Sequence, residues 1–229
     1  MKGALLYLFD YFAGNCELLT VVIMFFSVFV IIFLCFPIHE CAHALAAKIL
    51  GDDTAERQGR ITLNPLAHID PMGAICMCIC CIGWAKPTPV DLRNCRKVSM
   101  RAANVLVSLA GPLSNIVLAL IVMIIYKIMI AAGAVTSETA VYIMLGLNQI
   151  IQINIFLGIF NLIPIPPFDG YHILASFLPA KAVYFMERNG QIINFVVLLL
   201  LISNVLDAPL MFLENGVWSF LDLITRFIC

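Results

Sequence analysis

The sequence predicts an α-helical, polytopic membrane protein with four to five transmembrane helices. Hydrophobic residues make up 62% of the 229 residues, whereas charged residues make up only 12%. A soluble domain is about 45–50% apolar and about 25% charged, so this chain has too little charge to cover a globular surface. The formal net charge of −1 argues against a nucleic-acid partner and leaves the lipid bilayer as the expected surrounding.

Three long apolar runs supply the predicted membrane-crossing helices. A spanning helix needs about 20 mostly apolar residues. The first run, from Leu18 to Ile38, contains no charged residue, and its helical pattern continues to Leu50, with Gly51 as the predicted C-cap. The second run extends from Ala102 to Tyr126, and the third extends from Val141 to Ile163.

The C-terminal part of the chain has a weaker pattern. The run from Gly190 to Leu206 is shorter and is the predicted fourth span. Charged residues interrupt the stretch from Ala208 to Cys229, so it is either a fifth span or an interfacial helix.

A different pattern lies between the first two spans, from Ile61 to Val90. Its apolar stretch from Gly73 to Ala85 is too short to cross a membrane as a helix. The alternation of cysteine with Met77 and Ile79, flanked by proline and glycine, predicts strands or a re-entrant loop buried against the other helices. Its cysteines could bind a metal, but no C-x-x-C pair recurs at finger-like spacing, which favours packing. These cysteines are Cys76, Cys78, Cys80 and Cys81.

Basic residues predict the orientation of the chain in the membrane. Both loops that carry them should be cytoplasmic by the positive-inside rule, whereas the loop from Ala131 to Ala140 has none. The first basic loop carries Lys48, Arg57, Arg60, Lys86, Arg93, Arg96, Lys97 and Arg101, and the second carries Lys181 and Arg188. We therefore expect a multi-pass protein of the cell membrane.

A metal-binding motif lies at the end of the first apolar run, in the sequence H-E-C-A-H. His39 and His43 are four residues apart, so on a helix both imidazoles face the same way and can bind one zinc ion. Glu40 beside them can take a proton from a metal-bound water. The alternative is that the helix leaves the bilayer at His39 and these are interfacial residues. The high free energy of ionisable groups in a membrane favours the functional interpretation.

Two histidines leave a zinc site incomplete, and Asp169 is the best candidate for the third ligand. It is the only carboxylate between Thr139 and Met186, and three prolines break the helix before it. The predicted topology puts the end of the third span on the same side as the end of the first. The alternative for Asp169 is a helix-capping residue in a loop.

These motifs together resemble the site-2 protease family of intramembrane zinc metalloproteases, in its small bacterial and archaeal-type branch without a PDZ domain. The resemblance covers roughly residues 30 to 175. Besides H-E-C-A-H, it rests on Asn161 with Pro164 and Asp169-Gly170, on Gly111-Pro112-Leu113-Ser114-Asn115, on Asn64 to Gly73, and on Gly83 to Pro87.

The resemblance implies one zinc ion per chain, held by His39, His43 and Asp169, with Glu40 as general base. It also implies that Asn161 steadies the substrate carbonyl or oxyanion. The implied substrates are transmembrane proteins or peptides. The positions of the basic loops, and not the resemblance, predict that the site lies toward the cytoplasmic face. We expect one membrane-embedded domain over residues 1–229, with the catalytic core at about 18–175 and C-terminal helices at 176–229.

The roles of two other motif residues stay open at this point. His68 either lies near the zinc site as a catalytic auxiliary or hydrogen-bonds within the loop around Asn64 and Asp70. Gly111 is expected to allow close contact between helices. Two rival functions are a membrane metal-ion transporter, which favours internal repeats and charges along a path, and a catalytically silent scaffold, which would not need Glu40.

Overall fold

The first membrane-crossing helix, α2, carries the H-E-C-A-H motif near its end. In this computed structural model, which describes residues 3–80 and 82–228, α2 covers Leu18–Leu50 and follows a short helix α1, Ala4–Phe12. A π-helical turn, Ile31–Cys35, interrupts α2 just before Pro37. Proline lacks an N–H and its ring crowds the preceding carbonyls, and a widened turn relieves both problems. Gly51 ends α2 at a φ of +113°, which confirms the predicted C-cap.

Two further helices are long and apolar enough to cross a membrane. With α2, they make three such helices among the described residues, so the chain is a membrane protein. Helix α5 covers Met100–Ala131 and helix α6 covers Glu138–Asn161, in the places of the second and third apolar runs. Each begins at a serine, Ser99 or Ser137, whose hydroxyl accepts an N–H of the first turn.

The connection between α2 and α5 contains helix α3, Thr54–Arg57, a 3₁₀ turn at Pro65–Ala67 and helix α4, Pro71–Cys80. The prediction of strands at residues 76–80 is therefore wrong, because these residues belong to α4. The carboxylate of Asp70 accepts the Gly73 N–H at 2.8 Å and starts that helix. The alternation of cysteine with methionine and isoleucine does not distinguish a strand from a helix, because all three residue types are apolar.

Two parts of that prediction stay open. Helix α4 has ten residues and is about 15 Å long, so it is too short to cross and a re-entrant path stays a prediction. Cys81 lies outside the described residues. The β-structure described between residues 61 and 90 is one isolated antiparallel bridge that joins Ile69 to Ala85.

Between residues 162 and 228, the structure describes four helices: α7, Asp169–Ala175; α8, Ala180–Arg188; α9, Gly190–Ile202; and α10, Asp207–Ile224. Leu210 and Leu221 of α10 pack into the apolar core formed by α5 and α6. Lys127 of α5 is buried, and its Nζ lies 2.7 Å from Oδ1 of Asp222 on α10. These contacts fix α10 along the two spans, whereas the predicted total of four to five spans stays a prediction.

Candidate metal centre

His39 and His43 lie on the buried face of α2, one helical turn apart. Their Nε2 atoms are 3.0 Å apart, and their rings meet edge to face. Both side chains are buried although they belong to a helix of membrane-crossing length. Such buried ionisable groups need a partner, and the partner in this structure is Asp169.

Asp169 reaches the histidines from the first turn of α7. Its Oδ2 lies 3.1 Å from Nε2 of His39 and 3.3 Å from Nε2 of His43. Gly170 makes this approach possible, since a Cβ there would lie 2.2 Å from the carbonyl oxygen of Leu162. The Asp-Gly pair is thus explained by the tight turn that brings the carboxylate to α2.

The hydrogen bonding of His43 identifies its tautomer, and therefore which ring nitrogen has a free lone pair. Its Nδ1 donates to the carbonyl oxygen of Val107 at 2.7 Å. In the neutral imidazole only one nitrogen carries a proton, so Nε2 presents a lone pair toward Asp169. Oδ2 of Asp169 is buried and has no hydrogen-bond partner. The convergence of this lone pair with a carboxylate oxygen and with Nε2 of His39 fits a bound cation.

The separations between these atoms fit zinc. Tetrahedral zinc with ligand distances of about 2.0–2.1 Å places its ligand atoms about 3.3–3.4 Å apart. The three separations here are 3.0, 3.1 and 3.3 Å. The predicted residues His39, His43 and Asp169 form the cluster of three possible metal ligands found among the described residues.

Gly111 of α5 lines the same centre. A Cβ at this position would lie 2.4 Å from Nε2 of His43 and 2.6 Å from Nε2 of His39. The sequence predicts only a close helix contact at Gly111. The structure adds that the contact is with the two imidazoles, so the missing side chain leaves room for the atoms that could bind a metal.

Glu40 follows His39 on α2, and its carboxylate is held by the segment that precedes α5. Oε2 of Glu40 accepts the backbone N–H of Thr88 at 2.8 Å, and the Glu40 carbonyl accepts the Thr88 hydroxyl at 3.0 Å. Sequence reasoning did not find Thr88. A signal was available, because it lies between two prolines directly after the Gly83 to Pro87 motif.

The structure does not bring Asn161 or His68 into the ligand cluster. Asn161 ends α6, and its amide donates to the carbonyl of Leu157 at 2.9 Å. His68 is fully buried, and its Nε2 bonds the carbonyl of Thr62 at 2.8 Å. His68 thus hydrogen-bonds within its own loop, but to Thr62 instead of Asn64 or Asp70. A catalytic role for either residue stays a prediction.

Two known proteins are similar in sequence to this chain over most of its length. A protein of Bacillus subtilis named "Putative zinc metalloprotease YwhC" is 42% identical over 177 residues, which are 76% of this chain and 78% of that protein. A Mycolicibacterium smegmatis protein named "Putative zinc metalloprotease Rip2" is 29% identical over 186 residues, which are 80% of this chain and 68% of that protein. The profile of Peptidase family M50 matches residues 127–204. No solved structure matches the chain.

The fold and the site define a membrane protein with a candidate metal centre formed by a buried H-E-x-x-H motif and an aspartate. The chain belongs to peptidase family M50, the site-2 protease family. The resemblance predicted from the motifs is confirmed. The family profile covers Asp169 but begins after the two histidines, so the profile match by itself does not include all three candidate ligands.

Proposed function

We propose that the chain is an intramembrane zinc metalloprotease that hydrolyses peptide bonds in or near transmembrane segments of membrane proteins. The observation that carries this proposal is the convergence of Asp169 with His39 and His43, which lie on a helix of membrane-crossing length with Glu40 beside them. Family membership and the metalloprotease names of the relatives support the same reaction class.

Each residue of the site has a separate role in the proposed hydrolysis. His39, His43 and Asp169 hold one zinc ion, which when bound polarises the scissile carbonyl and lowers the pKa of water. Glu40 accepts the proton of the attacking water and returns it to the leaving amine. Asn161 donates to the oxyanion that develops on the scissile carbonyl, an interaction that grows in the transition state.

The location of the site sets a requirement on the substrate. A transmembrane helix hides its peptide carbonyls in internal hydrogen bonds, so a substrate has to unwind locally before hydrolysis. The segment 82–90 beside Glu40 is outside any helix and bridges to Ile69 at Ala85, and its main-chain groups can hold an unwound substrate by β-augmentation. The substrate is thus a transmembrane protein or peptide presented from the bilayer.

The test of the reaction is Glu40→Gln, which keeps the size and polarity of the side chain but removes the base. The variant should keep one zinc per chain by elemental analysis and lose cleavage. New protein termini inside transmembrane segments are then sought by mass spectrometry in membranes containing the wild type and in membranes containing the variant. Loss of zinc would instead make Glu40 a ligand. Equal sets of termini would contradict the proposed protease activity.

We further propose that the centre lies toward the cytoplasmic face of the cell membrane. The basic residues of the loops that flank it support this orientation. Single cysteines introduced near Arg96 and near Thr136, in a chain whose own reactive cysteines are replaced, test it with a reagent that cannot cross the membrane. Labelling from outside at Thr136 alone is the expected result, and labelling at Arg96 alone would reverse the orientation.

A further inference from the structure

Glu40 is held at two atoms by a single residue of the segment that precedes α5. The backbone N–H of Thr88 donates to the carboxylate oxygen Oε2 at 2.8 Å. The hydroxyl of Thr88 donates to the backbone carbonyl of Glu40 at 3.0 Å. The second bond ties Thr88 to α2, and the first bond orients the carboxylate, so the two bonds have separable consequences.

The local sequence restricts the backbone of Thr88 and makes its N–H the one backbone donor between two prolines. Thr88 lies between Pro87 and Pro89, and proline has no N–H. Thr88 therefore supplies the only backbone donor in this stretch of three residues. A residue that precedes proline is restricted to extended conformations, and this restriction applies to Lys86 and to Thr88. The N–H that points at Glu40 thus comes from a chain segment with little conformational freedom.

Buried residues anchor this segment from behind. The N–H of Lys86 donates to the carbonyl of His68 at 2.8 Å, and the carbonyl of Lys86 accepts a guanidinium N–H of Arg60. Arg60 and His68 are 4% and 0% exposed, so the anchors belong to well-packed parts of the connection. One residue earlier, Ala85 bridges to Ile69. Thr88 is therefore two residues from a fixed point.

We propose that Thr88 is a positioning residue for the general base. Its N–H engages Oε2 of Glu40 and thereby leaves Oε1 as the oxygen that takes the proton from water. No other described side chain or backbone group donates to the Glu40 carboxylate. This inference rests on the proposed function, because positioning of Glu40 matters to turnover only if Glu40 is the base. A purely structural Thr88 would only tie the segment to α2.

The test removes the two hydrogen bonds separately. Replacing Thr88 by its α-hydroxy acid, through an expanded genetic code, turns the amide into an ester and deletes the N–H while keeping the side chain. Thr88→Val deletes the hydroxyl and keeps the N–H, and Thr88→Ser keeps both donors. Cleavage is measured with a substrate identified from the Glu40→Gln comparison, together with zinc content and thermal unfolding.

The ester should lower kcat at least about tenfold, a loss typical of misplaced catalytic groups, with KM within about twofold and zinc unchanged. Thr88→Ser should have a near-normal kcat. The kcat of Thr88→Val should fall less than the kcat of the ester variant. A fully active ester would overturn the proposal, as would a valine variant as impaired as the ester. Loss of zinc or of folding in the ester would show a structural role instead and would also overturn it.

The Glu40→Gln variant separates this proposal from the one on which it rests. If Glu40→Gln cleaves normally, the proposal that Glu40 is the general base fails, whatever the results for the Thr88 variants. If Glu40→Gln is inactive and the ester is fully active, only the role of Thr88 fails. Combining both changes should give the residual rate of Glu40→Gln alone, because Thr88 acts through that carboxylate.

Discussion

His43 donates its Nδ1 proton to the backbone carbonyl of Val107, 2.7 Å away on the neighbouring helix α5. This bond selects the tautomer of the candidate ligand His43 and fixes its ring against the backbone of a helix. Gly111 follows Val107 by one helical turn and lies on the same face, where the missing side chain makes room for both imidazoles. One face of α5 therefore supplies the acceptor and the space that the metal centre needs.

We expect Gly111→Ala to weaken zinc binding. The added methyl would lie 2.4 Å from Nε2 of His43 and 2.6 Å from Nε2 of His39, so the imidazoles would have to move. Changes around metal ligands typically lower metal affinity about 10–100-fold. Zinc affinity is measured by competition with a chelator, and cleavage should fall in parallel when zinc is limiting.

Gly146→Ala provides the matched control for this substitution. Gly146 also lies in a spanning helix, but a Cβ there would meet only Phe26, at 3.5 Å, which is an ordinary contact. Zinc affinity should be unchanged in this variant. Equal losses in both variants would show a general effect of helix packing, and an unaffected Gly111→Ala would contradict the position of the rings.

We expect His68→Ala to retain zinc and to lower turnover. The His68 imidazole bonds the carbonyl of Thr62, and its own carbonyl holds Lys86. Removing the ring takes this hydrogen bond from the partly buried carbonyl of Thr62, a loss of about 0.5–1.5 kcal/mol. Zinc content, cleavage and thermal unfolding are measured separately. Lost zinc would make His68 a ligand, and normal turnover with normal stability would make it an ordinary loop residue.

Asp52 should stabilise the end of α2 in a pH-dependent way. This buried carboxylate accepts hydrogen bonds from Thr54, from the Asp91 N–H at 2.7 Å and from Asn94 at 3.1 Å. Burial raises the pKa of Asp52, but these hydrogen bonds outweigh it and hold that pKa below its usual 3.8. The stabilisation is therefore present above pH 3.8 and is lost as the pH falls through the lowered pKa.

The corresponding variant is Asp52→Ala, which should unfold more easily at neutral pH by about 1–3 kcal/mol. Its stability should also change less than that of the wild type as the solution is acidified below pH 3.8. Asp53→Ala is the control, because the Asp53 side chain is exposed and its carboxylate is 4.0 Å from Arg57. That change should stay within about 0.5 kcal/mol. Equal destabilisation by both changes would contradict the role of Asp52.

Lys127 and Asp222 should respond unequally to mutation although they form one ion pair. Lys127 is buried, whereas the side chain of Asp222 is 53% exposed. Asp222→Ala leaves a buried ammonium without its carboxylate and should destabilise the protein by about 1–3 kcal/mol. Lys127→Met leaves only a carboxylate that is already half exposed and should change stability by less than about 1 kcal/mol. Thermal unfolding in detergent measures both, and a larger loss for Lys127→Met would show that α10 is placed differently.

The sequence was sufficient to predict the three long apolar helices and to select His39, His43 and Asp169, the residues that the structure brings together, because both predictions depend on short-range regularities. An uncharged run of about 20 residues is long enough to cross a bilayer as a helix. A four-residue spacing puts His39 and His43 on one face of a helix. Asp169 was found because carboxylates are scarce in this chain. Each of these signals can be read without knowing which helices touch.

The remaining features depend on contacts between distant segments. The carbonyl of Val107 and the space at Gly111 acquire their roles only when α5 packs against α2, and neither has a side-chain signal. Thr88 acts through its backbone N–H, which every residue except proline carries. Residues 76–80 were predicted as strands because Cys, Met and Ile are all apolar, so their alternation had no polar face to reveal the helix.

The π-helical turn at Ile31–Cys35 has a consequence for the rotational phase of α2. An i→i+5 turn accommodates one residue more than α-helical winding would. Each residue advances an α-helix by about 100°, so a uniform helical wheel over Leu18–Leu50 would misplace His39 by about that angle relative to Val28. Deleting one residue inside the π turn can be absorbed by regular winding, whereas a deletion between the turn and His39 would rotate the imidazoles away from Asp169.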